Sequence, residues 1–128
     1  MACAFRASSP YANAFAENRE QIEFMAKMLI SQDHGLVLVA DVDGDVVGMI
    51  GMMIYPHHLS GEPTAGEICW WVDPPYRGCG KQLLLAAEAW ALVRGAKIVQ
   101  MMAPTPEVGQ IYQKCGYFSA ETTWVRRL

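Results

Sequence analysis

The chain has 128 residues, 52% of them hydrophobic and 18% charged, with a formal net charge of −3. That length makes one domain, able to bury about two-thirds of the surface its unfolded chain exposes in a single core. The acidic balance argues against nucleic acid and anionic membrane as partners, because both call for clustered Lys and Arg, and Arg126 and Arg127 are too few.

Cys3, Cys69, Cys79 and Cys115 show no C-x-x-C spacing, and the N-terminus lacks the apolar core of a signal peptide. Free thiols and a reducing, cytoplasmic location are therefore expected. No apolar run approaches the ~20 residues needed to span a bilayer.

Residues 1–10 have no clear period, and Ser8-Ser9-Pro10 reads as a turn or helix entry. Ile22, Met25, Ala26, Leu29 and Ile30 recur at helical spacing, which predicts an amphipathic helix from about Asn18 to Ile30. Leu36–Ala40 and Val46–Ile54 read as strands joined at Asp43-Gly44, a strong hairpin signal. Tyr55–Thr64, with Pro56, Gly61 and Pro63, is a loop, and the next strand runs from about Ala65 to Val72.

A helix then extends to about Arg94, with Leu84, Leu85, Ala87, Trp90 and Ala91 suited to its buried face and Gly95 to its C-cap. Ile98–Met102 is a short strand, Pro106 opens a helix that Gly116 ends, and Tyr117–Arg127 reads as a last hairpin-like segment. Strands linked by a crossover helix imply an α/β protein whose mixed sheet carries helices on both faces, with the Ala65–Val72 and Ile98–Met102 strands parallel.

Between strand and helix lies Pro74-Pro75-Tyr76-Arg77-Gly78-Cys79-Gly80-Lys81-Gln82. Glycines that allow a tight turn, a fixed positive charge and the N-terminus of a helix form an arrangement suited to phosphate. The run resembles the Q/R-x-x-G-x-G/A cofactor loop of the GNAT superfamily of acyl-CoA N-acyltransferases, and the likeness covers roughly residues 20–125. Arg77 and Gly80 fill its first two defined positions, and Gln82 departs from the third, where its side chain is expected to stand at the pyrophosphate.

The resemblance implies the GNAT fold, a splayed parallel strand pair that admits the pantetheine arm, acetyl-CoA as co-substrate, and a pyrophosphate held by Arg77, Gly78, Cys79, Gly80, Lys81 and Gln82. It also implies pairing of the Trp71 and Val72 backbone with the pantetheine amides, and it places Thr105 where the family commonly has a cofactor-contacting asparagine. Trp70–Pro74 and Glu88–Ala91 are most similar to small phage-encoded or prophage-encoded members, which would put the protein in a host cytoplasm. The family's usual first strand is missing, so Leu36–Ala40 should have an open edge, and a homodimer completed across it is one remedy.

Transfer to an amine needs a base for the ammonium and an acid for the leaving thiolate. Glu67, on the strand before the loop and beside Ile68, Trp70 and Trp71, is the candidate base, because burial raises a carboxylate's pKa toward the working range. Tyr112, in a segment similar to the family's L-Y-x-x-x-G-F/Y signature, is the candidate acid; each residue has an ordinary structural alternative, a paired strand carboxylate and a core aromatic. His57 and His58 lack ligand spacing for a metal and are expected to line the acceptor pocket.

Two functions follow. The first is an acetyl-CoA-dependent N-acetyltransferase acting on a primary amine by direct attack in a ternary complex. The second is a catalytically weakened GNAT-fold protein that binds a host or partner protein, motivated by Gln82, Thr105 and the missing strand.

Overall fold

Asp43 (φ 54°) and Gly44 (φ 91°) both adopt left-handed backbone, which makes a two-residue turn of the type that matches the twist of a hairpin. Asp41 Oδ1 accepts the Gly44 N–H at 2.9 Å and fixes the turn. The strands it joins are β1 (Gly35–Val42) and β2 (Asp45–Pro56). The computed structural model describes every residue from Met1 to Leu128.

The remaining elements are α1 (Ala2–Ser8), a 3-10 turn (Pro10–Asn13), α2 (Arg19–Ser31), β3 (Pro63–Val72), a 3-10 segment (Pro74–Cys79), α3 (Gly80–Val93), β4 (Ile98–Gln100) and α4 (Pro106–Lys114). The sheet has the order β1-β2-β3-β4, with β3 and β4 parallel and the other neighbours antiparallel. No strand precedes α2, so β1 is an edge, as the sequence implies.

Helices cover both faces because β2 alternates its contacts. Ile50 and Met52 enter the core cluster with Leu83, Ala87 and Ala91 of α3. A Cβ on Gly51 would instead meet Leu29 of α2 at 3.2 Å, on the opposite face. Asn18 caps α2 by accepting the Gln21 N–H at 3.0 Å. In α3 the buried stripe is Gly80, Leu83, Leu84, Ala87 and Ala91. Leu85, expected inside, is 49% exposed, because the i, i+3, i+4, i+7 row begins one residue away from it.

Two features of β3 set up the site. Gly51 pairs with Cys69 and Met52 with Glu67, so Ile68 is an extra residue, a β-bulge. The bulge puts Glu67 and Trp70, three apart, on one face of the sheet, toward α4. On its other side β3 pairs with β4 only at Thr64, Ala65 and Gly66. Beyond that point the two strands part.

Three sequence expectations are corrected. Residues 117–128 form no hairpin: no strand occurs there, and Phe118 and Trp124 are 86% and 91% exposed. β4 ends at Gln100 rather than Met102, and so short an edge gives a following strand little to pair with. Residues 2–8, which show no sequence period, form α1; it buries none of its own residues yet packs against β3. No helix is long and apolar enough to cross a membrane.

Candidate active site

Where β3 and β4 separate, a backbone ladder is replaced by a side chain. The Met102 N–H, which would continue β4, donates to Glu67 Oε2 at 3.0 Å. The Tyr112 hydroxyl lies 3.2 Å from the same oxygen and 3.1 Å from the Met102 carbonyl. Both side chains are buried, Glu67 with 9% of its surface exposed and Tyr112 with 5%.

The sequence thus proposes two residues 45 positions apart, and the fold places them in direct contact. Burial lifts the Glu67 carboxyl to about 7, opposed by the hydrogen bonds from Met102 and Tyr112. Burial and then the Glu67 charge push the Tyr112 hydroxyl far up, so it holds its proton at any working pH. With one proton on the hydroxyl and two acceptors in reach, Tyr112 can donate to an ionised Glu67. It can equally receive from a protonated Glu67 and donate to Met102.

Beside this pair a cavity of about 530 Å³ opens along the unpaired part of β3. It is lined by Trp70, Trp71 and Val72 of β3, by Arg77 and Gly80 where α3 begins, by Thr105, Val108 and Ile111 at and after the α4 cap, and by Phe5, Ser8 and the following Ser9 at the end of α1. Glu67 and Tyr112 do not line it; Tyr112 stacks against Trp70, with ring centroids 5.6 Å apart. Trp71 is held by its indole N–H, which donates to Asp73 at 2.8 Å.

Several features fit an extended, phosphate-bearing ligand. β3 past Gly66 has no strand on its β4 side, so backbone groups there are free to pair with amides. Arg77 supplies charge at the end where α3 begins, and no side chain caps that helix. The Trp70 indole N–H is buried with no partner, a donor left for an incoming acceptor.

Gly80 matters for closeness rather than for an unusual turn: its backbone is right-handed helical, and a Cβ would stand 3.3 Å from the Trp70 ring. The glycine loop is a 3-10 segment running straight into α3.

Of the expected cofactor residues, Trp71, Val72, Arg77, Gly80 and Thr105 line this cavity, and Gly78 and Lys81 do not. Cys79 and Gln82 line a separate depression of about 330 Å³ between β1 and α3. The Gln82 side chain therefore does not obstruct the cleft. Thr105 caps α4, its hydroxyl 3.5 Å from the Val108 N–H, so the hydroxyl is already engaged.

His57 and His58 stack on each other, centroids 4.6 Å apart, in the loop before β3 and do not line the cavity. No three His, Cys, Asp or Glu residues gather into a group that could hold a metal ion. Nothing in the sequence points to the α1 lining, the Trp70 N–H or the Met102 backbone; the one local signal is Pro104-Thr105-Pro106, which marks the start of α4 beside the cleft.

The Acetyltransferase (GNAT) family pattern matches residues 4–117. The chain belongs to this family. Its fold is α/β of the GNAT type, and it shares that fold with solved structures. One is AAC(6')-Iy in complex with the bisubstrate analogue CoA-S-monomethyl-acetylneamine, 20% identical with a TM-score of 0.74, covering 88% of this chain and 82% of that one.

A second is glucosamine-6-phosphate N-acetyltransferase from Arabidopsis thaliana, 18% identical, TM-score 0.72, covering 87% and 79%. A third is aminoglycoside 6'-N-acetyltransferase AAC(6')-IG from Acinetobacter haemolyticus, 16% identical, TM-score 0.73, covering 100% and 94%. No curated protein sequence matches the chain. At these identities the structural likeness speaks for the fold.

Proposed function

We propose that this single-domain GNAT protein transfers the acetyl group of acetyl-CoA to a primary amine by direct attack, with Glu67 as base and Tyr112 as acid. The observation that carries the reading is the 3.2 Å contact of Tyr112 with a buried carboxyl, raised by that burial to about 7, at the point where the strands part. AAC(6')-Iy is a neighbour that holds CoA, which supports the same ligand for the cleft along β3.

In this reading Arg77 and the start of α3 bind the diphosphate, and the β3 backbone and the Trp70 N–H bind the pantetheine arm. Glu67, 9% exposed, takes a proton from the ammonium. The amine nitrogen bonds to the carbonyl carbon and loses its second proton to water, the carbon–sulfur bond breaks, and Tyr112 gives its proton to the thiolate. Glu67 then returns its proton to Tyr112 across their contact, so both groups end as they began.

The alternative, a catalytically weakened GNAT-fold protein that binds a host or partner protein, draws less support, since Gln82 leaves the cleft clear. Residence in a reducing cytoplasm suits four free cysteines, and a phage source is not required. The test is thiol release from acetyl-CoA with a panel of primary amines, read with product mass. Acetylated amine that disappears in Glu67→Gln and Tyr112→Phe is the expected result. Thiol release unchanged in both variants would refute the assignment of the two residues.

A further inference from the structure

Tyr112 has two aromatic neighbours. Trp70 stacks against its ring and Tyr117 packs on it tilted by 45°, each with its centroid 5.6 Å away. Tyr117 is in turn fixed twice. Its N–H donates to the Tyr112 carbonyl at 3.0 Å as the chain leaves α4, and its hydroxyl donates to Glu88 Oε1 on α3 at 2.5 Å. Burial, and after it the bond to Glu88, holds the Tyr117 proton on its oxygen. The Tyr117 hydroxyl is spent on α3.

From this geometry we infer that Glu88 and Tyr117 are positioning residues, a clamp that tethers α3 to the ring of Tyr112 and sets where its hydroxyl stands. This rests on the acetyltransferase reading above. The need for a clamp is visible in the distances: the Tyr112 hydroxyl sits 3.2 Å from Glu67 and 3.1 Å from Met102, both at the long end for O–H donors. A small rotation of the ring lengthens either contact beyond use. The helix that carries Glu88 is also the one that begins at Gly80 in the cleft, so the clamp ties the acid to the ligand-binding end of the same rigid element.

The experiment compares Tyr117→Phe, which keeps the ring and loses the bond, with Glu88→Gln, which keeps an acceptor, and Glu88→Leu, which does not. The clamp predicts that Tyr117→Phe and Glu88→Leu lower kcat by about tenfold, as slight misplacement of a catalytic group does, with KM for acetyl-CoA unchanged. Glu88→Gln should retain most of the wild-type kcat. In parallel, near-ultraviolet circular dichroism should lose intensity in the same two variants, because the Trp70–Tyr112–Tyr117 stack loosens.

Wild-type kcat and an unchanged near-ultraviolet spectrum in Tyr117→Phe would overturn the clamp. So would a loss in Glu88→Gln equal to that in Glu88→Leu. If the wild-type protein transfers no acetyl group, the reaction is refuted, and the spectra alone still decide whether the tether holds the ring.

Discussion

Replacing Glu67 by Gln should make the protein more stable at alkaline pH while removing its activity. The carboxyl has its ordinary value of 4.5 in the unfolded chain and about 7 in the folded one, raised by burial. Between those values the unfolded state binds fewer protons than the native state, so stability falls as pH rises through the window. It is fully retained below 4.5 and reaches its lower plateau above about 7. The gap corresponds to about 3 kcal/mol of destabilisation once Glu67 is ionised. Gln keeps an oxygen for the Met102 N–H and carries no charge to desolvate, so it recovers most of that loss.

For a chain of this size the gain is about 10 °C in Tm at pH 8.5 and close to nothing at pH 4. Thermal unfolding of both proteins by circular dichroism across pH 4 to 9 measures it. A difference in Tm that is the same at both ends of the range would refute the reasoning, because it would show that the native state pays nothing for the charge. The same variant should lose turnover by about 10²-fold, and the wild-type rise of kcat through pH 7 should vanish with it.

Tyr112→Phe should lower turnover by about 10²-fold, and it should cost about 1 kcal/mol of stability because a buried hydroxyl bond is lost; thiol release and urea unfolding read the two effects. Arg77→Ala should weaken acetyl-CoA by about tenfold to a hundredfold in calorimetry, the range for one charge-assisted bond to phosphate, with the fold intact. Two glycines should separate by what a new Cβ strikes. In Gly35→Ala it comes within 2.4 Å of the Leu29 backbone carbonyl; in Gly66→Ala it comes within 2.7 Å of the Tyr55 ring. A backbone cannot step aside and a ring can, so the first should cost about 3 kcal/mol and the second about 1, measured by chemical unfolding. Equal losses would refute this account.

The elements with strong local signals were legible in the sequence. Asp43-Gly44, the period of residues 22–30, the first three strands and the glycine run before α3 each express their structure within a few residues, and each appears within a residue or two of where the sequence puts it. The pairing of Glu67 with Tyr112 could be inferred only as two separate roles, since nothing local tells that residues 45 apart share a hydrogen bond. The bulge at Ile68 was not legible either, because an extra residue in one strand is defined by its partner. The α1 helix failed for another reason: it buries nothing of its own, so no apolar period exists to be read. Gln82 was expected at the pyrophosphate because it fills a motif position. One residue of helical rotation decides which side it faces, and it faces β1.

The same carboxylate serves the fold and the proposed chemistry, and this bears on how its variants should be chosen. The parting of β3 from β4 strips the Met102 N–H of a strand partner, and a part-buried donor without an acceptor costs up to about 1–3 kcal/mol. Glu67 supplies the acceptor and lets the cleft open without that loss. An alanine there would remove the base and orphan the backbone together, and its inactivity would say little about proton transfer. Glutamine separates the two: it satisfies Met102 and cannot take a proton. A Glu67→Ala variant less stable than wild type at pH 5, beside a Glu67→Gln variant as stable as wild type, would show that the strand break itself leans on this side chain.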